Sequence, residues 1–63
     1  MSYLESYIID RINTYKVQLH NVNKALEKCY SVKQYDKLQF QIKTYTILLQ
    51  ELDMILALIK EEL

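Results

Sequence analysis

Two apolar series in this chain mirror each other about residue 32, and that symmetry leaves few folds open to it. The first runs Ile8, Ile12, Tyr15, Leu19, Val22, Leu26 and Cys29; the second runs Tyr35, Leu38, Ile42, Tyr45, Leu49, Leu52 and Leu56. Each advances in alternating steps of four and three residues, the spacing of a helix that buries one seam. Paired about the midpoint, Ile8 falls with Leu56, Ile12 with Leu52, Tyr15 with Leu49, and so on inward to Cys29 with Tyr35; the two positions of every pair sum to 64. Two helices of equal length folded back on each other need this arrangement. The predicted fold is all-α, an antiparallel two-helix hairpin with a coiled-coil-like seam.

Local signals agree. Ser2 and Glu5 form an S-x-x-E capping box that starts a helix at Tyr3, and Ser31 and Gln34 form an S-x-x-Q box that starts another at Val32. Carried forward from Cys29, the first register would bring Asp36, Lys43 and Gln50 into the seam. The second seam uses Leu38, Tyr45 and Leu52 instead, two positions later. A tight turn accounts for both the cap and the change of phase. The expected organisation is one domain over residues 1–63, with a first helix over about 3–30, a turn at about 30–32 and a second helix over about 32–62. Each arm of about 28 residues would be roughly 42 Å long. The competing fold is a single long helix with a local stagger in register. Neither Gly nor Pro occurs, so no residue breaks a helix or demands a positive φ.

A chain of 63 residues buries a small fraction of its surface and is marginal alone. Disulfides, a metal or oligomerisation are the usual remedies. A single cysteine excludes an internal disulfide, and Cys29 with His20, nine residues apart, does not make a zinc site. No cofactor or metal is expected, and self-association is the remedy left. Disorder is excluded by an apolar content of 51% and a net charge of zero. The longest apolar run, Met54 to Ile59, is six residues, against about 20 for a membrane span. No basic start followed by an apolar block marks a signal peptide. The expectation is a cytoplasmic protein with no membrane partner.

The two arms differ away from the seam. The middle of the first helix is polar there, with Asn13, Lys16, Gln18, His20, Asn21, Asn23 and Lys24. The second helix carries a further apolar set, Phe40, Ile47, Leu48, Met54, Ile55 and Leu58, at helical spacing on the side away from the seam. In an isolated hairpin this stripe would face water. Burying one such side chain is worth about 1.5–3 kcal/mol, and contiguous apolar surface of this kind marks an interface. The six residues are the candidate interface. They would serve either a homodimeric four-helix bundle with the second helices inside, or a groove on a different protein.

Charge is segregated as well. Residues 11–50 carry Arg11, Lys16, Lys24, Lys28, Lys33, Lys37 and Lys43 against Glu27 and Asp36; the rest carries Lys60 against Glu5, Asp10, Glu51, Asp53, Glu61 and Glu62. In a hairpin the first set covers the turn end and most of the shaft, and the second covers the open end. Lys33 and Lys37 sit at a helix start, where cations are disfavoured. One reading is charge matching between hairpins packed with opposite ends together. The other makes Lys28, Lys33 and Lys37 candidate phosphate contacts at a basic tip, with Tyr30 and Tyr35 beside them for stacking. The chain is not basic overall, as nucleic-acid binders of this size usually are.

No catalytic residue stands out. Cys29 is a seam position and reads as a small buried hydrophobe, although Lys28 and Lys33 are close enough to favour a thiolate if it were exposed. No Ser or Cys has an evident base partner. Asp10, Asp36 and Asp53 are spread along the hairpin. Tyr15 and Tyr45 fall in adjacent seam layers, where their hydroxyls need hydrogen-bond partners and nearby Asn and Gln side chains are at hand. Tyr3 and Tyr7, with Leu4 and Ile9, lie outside the seam and would extend a dimer surface or rim a binding site.

One string, Leu49-Gln50-Glu51-Leu52-Asp53, resembles the S-Q-E-L-D signature of small helical-hairpin phosphatases that dephosphorylate an aspartyl-phosphate regulator of sporulation. Four of five residues match, and the resemblance covers nothing else in the chain. Leu49 stands where the signature has Ser, and Asp53 is the one residue to which a role would carry over. The resemblance implies a hairpin phosphatase; it does not assign membership.

The sequence therefore points to a non-enzymatic interaction module, an adaptor, regulator or inhibitor of the kind common among bacterial and phage proteins by analogy of size and shape. It would self-associate as a homodimer or higher oligomer and present a helical face to a partner protein. The alternatives are a nucleic-acid-binding accessory protein using the basic turn end and a phosphatase of the type just described.

Overall fold

A computed structural model describes residues 3–62 and consists of two helices, α1 over Tyr3–Glu27 and α2 over Val32–Glu62. They pack against each other along their length. The backbone measures 48 × 14 × 12 Å. The 31 residues of α2 account for about 46 Å at 1.5 Å per residue, whereas a continuous helix over the described residues would extend to about 90 Å. The chain is thus an antiparallel hairpin, and the single-helix alternative is excluded.

The seam is the one anticipated from the heptad spacing. Ile8, Ile12 and Leu38 are buried, and every other member of the two series is half-buried except Tyr35. Two helices touching along one stripe each cannot enclose a large side chain, and no described side chain is fully buried. The accessible surface of 5129 Å² exceeds the about 4,300 Å² expected of a compact chain of this size. The radius of gyration, 14.7 Å, likewise exceeds the compact expectation of about 10.6 Å.

The arms are unequal, which the spacing did not anticipate. α1 stops at Glu27, three residues short of the expected boundary at 30, and α2 begins at Val32 as expected. At the end of α1, the Lys28 N–H donates to the Ala25 carbonyl at 3.1 Å and the Cys29 N–H to the Leu26 carbonyl at 3.2 Å. These three-residue bonds tighten the last turn and satisfy carbonyls that an α-helix would leave open. Ser31 then caps α2. Its carbonyl accepts from the Tyr35 N–H at 2.8 Å and its Oγ from the Gln34 N–H at 3.4 Å, the N-cap pattern. No described residue has a positive φ. Because α1 ends early, the first turn of α2 projects beyond it, and Val32 and Tyr35 stay exposed. Ser2, and with it the first capping box, lies outside the described residues.

Candidate functional site

The six-residue apolar set on α2 divides into two groups. Phe40, Ile47 and Met54 are spaced seven apart, with Leu58 one turn further on, and all four are exposed, Phe40 by 71% and Met54 by 67%. Leu48 and Ile55 sit to one side of that row. Leu48 is half-buried rather than outward-facing, because it turns toward the joint between the helices. There Leu48 and Ile55 line a groove of about 260 Å³ with Tyr7, Arg11, Tyr15, Glu51 and Leu52. The surface is therefore an exposed row on the back of α2 and a shallow groove beside it, shared with α1.

Arg11 organises the α1 side of the groove. Its guanidinium donates to the Tyr15 hydroxyl at 2.8 Å and lies 4.8 Å from the centre of the same ring. That hydrogen bond and the electrostatic contact with Tyr15 raise the Arg11 pKa above its ordinary value, and a guanidinium is in any case charged throughout the physiological range. The Tyr15 ring meets Tyr45 across the seam, with centroids 5.8 Å apart and planes tilted by 38°, a favourable aromatic geometry. The hydroxyl partner of Tyr15 is thus an arginine one helical turn away rather than an Asn or Gln. Arg11 was not singled out by its residue type; the signal was its four-residue spacing from Tyr7 on one side and Tyr15 on the other.

The turn end holds a second hollow, about 230 Å³, lined by Cys29, Tyr30, Ser31, Val32 and Tyr35. Cys29 and Tyr35, the innermost pair of the two series, both line it. The Cys29 thiol is half-buried and donates to the Ser31 carbonyl at 3.2 Å. Tyr30 is 99% exposed, and Lys28, Lys33 and Lys37 are exposed as well. At the open end Tyr3, Leu4 and Tyr7 are exposed, Tyr7 at the rim of the groove.

Leu49, at the place of the signature Ser, is a half-buried seam residue, and Asp53 is exposed. Among the described residues no three of His, Cys, Asp and Glu come together as a metal site, and no helix is long and apolar enough to cross a membrane. No family model, curated protein or solved structure matches the chain.

Proposed function

We propose that this chain is a non-enzymatic interaction module of the cytosol. In this reading the hairpin self-associates through α2 into a four-helix bundle and presents a helical face to a partner protein. The observation that supports it is the exposed row Phe40, Ile47, Met54 and Leu58, with Ile55 beside it. Weighted by exposure, the five side chains leave about 4–9 kcal/mol of burial unrealised per protomer. That is of the same order as the whole stability of a small domain. The thin seam points the same way, since only three described apolar residues are buried in the single hairpin. Sedimentation equilibrium from low to several hundred micromolar tests the reading: the expected result is a dimer or higher species, and a persistent monomer rejects it.

A second reading, an accessory protein that binds nucleic acid, draws on the turn end. Tyr30 stands almost free of the protein with Lys28 and Lys33 beside it, a stacking surface next to cations. Replacing Lys28, Lys33 and Lys37 with Gln separates the two. Nucleic-acid binding would give salt-sensitive retention on DNA or RNA that the triple variant loses. Under the first reading no retention is expected at about 0.15 M salt.

A further inference from the structure

We infer that the second copy lies antiparallel on α2, about a two-fold axis at the level of residue 49, with the basic turn end of one hairpin beside the acidic open end of the other. This rests on the self-association reading above and gives it an orientation.

The exposed row carries the first argument. Taken with its polar members, it reads Phe40, Thr44, Ile47, Glu51, Met54, Leu58, all on α2 and advancing by four, three, four, three and four residues. That is a second seam on the same helix, the pattern by which a helix meets another in a bundle. Leu48 and Ile55 each follow a row member and broaden its apolar face, as core-facing helices of bundles require. The row also reads the same in reverse. Phe40 pairs with Leu58, Thr44 with Met54 and Ile47 with Glu51, each pair summing to 98. An antiparallel copy therefore meets the row layer by layer, as a self-complementary two-fold interface must.

Charge selects the antiparallel orientation over the parallel one. The same steps continued outward reach Lys37 in one direction and Glu61 in the other, and these two positions also sum to 98. Both are exposed. Antiparallel pairing sets Lys37 opposite the partner subunit's Glu61, twice per dimer. Parallel pairing would set lysine against lysine and glutamate against glutamate. Within its own helix each charge stands at the wrong end of the macrodipole, and the reversed second α2 supplies the opposite helix end beside it. The wider segregation follows the same sense, with seven cations and two anions in residues 11–50 against one cation and six anions elsewhere.

The polar members and the area are compatible with coverage. The Thr44 hydroxyl already donates to the Phe40 carbonyl at 3.0 Å, so covering it strands no donor. Glu51, the row's one carboxylate, is exposed and lines the groove to which Arg11 also contributes. The elongated hairpin exposes about 800 Å² more than a compact chain of its size, 5129 Å² against the compact expectation, an amount comparable with what one partner buries in a standard interface.

The test is an intermolecular distance. A Cys29→Ser, Lys37→Cys variant carries one nitroxide per chain, with dimerisation checked by sedimentation. Antiparallel pairing places the two labels about 36 Å apart along the helix axes, and parallel pairing places them within about 20 Å, since packed helices lie 8–10 Å apart. A label at Lys33→Cys, beyond the row, repeats the measurement with about 48 Å expected if the first site disturbs assembly. A dimer with short distances at both sites overturns the orientation and leaves self-association standing. A monomer in the wild type overturns both.

Discussion

Replacing Ile47 and Ile55 with Glu places the whole self-association argument on two side chains. Both lie on the exposed side of α2, 45% and 43% exposed in the single hairpin. The exposed share of each is worth about 0.7–1.3 kcal/mol on burial, so two residues in two protomers contribute about 3–5 kcal/mol to a dimer. At 1.4 kcal/mol per decade this alone weakens association roughly 10²–10⁴-fold. The introduced carboxylates add the cost of desolvating unpaired charge. Neither residue belongs to the seam, so helicity at low concentration should persist while the dimer is lost. Sedimentation equilibrium gives the dissociation constant and circular dichroism the helicity. Asn13→Glu, an exposed change on α1, serves as control and should alter Kd little. A double variant that associates within about threefold of wild type would refute the assignment of this face.

Other expectations follow from the seam and the turn. Ile12→Ala removes one of the three buried apolar side chains and should cost about 2–5 kcal/mol, a fall in Tm of at least about 10 °C; a smaller fall would mean the seam is not the stabilising contact. Ser31→Ala deletes the oxygen that accepts from the Gln34 N–H and should cost about 0.5–2 kcal/mol, with Ser31→Gly costing only a few tenths relative to wild type, both read from denaturant melts. Spin labels at Ser6 and Lys60 in a Cys29→Ser background should lie within about 20 Å, against about 80 Å for a continuous helix; the long distance at high dilution would contradict the hairpin.

The seam was legible because both helices obey one strict spacing and because the two-residue offset between the registers falls where Ser31 caps a new helix. Ser31 was legible for a local reason, its position three residues before Gln34. The end of α1 was not. With no Gly or Pro to mark a stop, the apolar step from Leu26 to Cys29 reads as further helix, and only the bonds from Lys28 and Cys29 back to Ala25 and Leu26 show the chain leaving it. The exposure of Tyr35 follows from that early end. The six-residue stripe was legible as a set but not as two groups, because periodicity on one helix does not say how far the other reaches around it. Leu48 lies under that reach, beside Tyr7, Arg11 and Tyr15. The Arg11–Tyr15 contact was hidden for a related reason: neutral polar residues are the ordinary partners of a seam hydroxyl, while here a long cationic side chain one turn away reaches it.

The turn between α1 and α2 is assembled from ordinary residues with no left-handed backbone anywhere in it, so connectivity, and not any turn-forming residue, decides which chain fills each seam. Removing Tyr30 and Ser31 would delete both the cap and the two-residue slip between registers. The apolar steps would then run unbroken from Ile8 to the end of the second series, in one phase. Such a chain has every reason to stay straight and to find its antiparallel mate in another molecule, trading a folded-over monomer for a rod of two 61-residue chains about 90 Å long. Small-angle scattering would show that length directly, and a particle that kept the 48 Å span would mean the reversal is held by something other than phase. Two residues, neither of them in the core, thus separate an intramolecular seam from an intermolecular one.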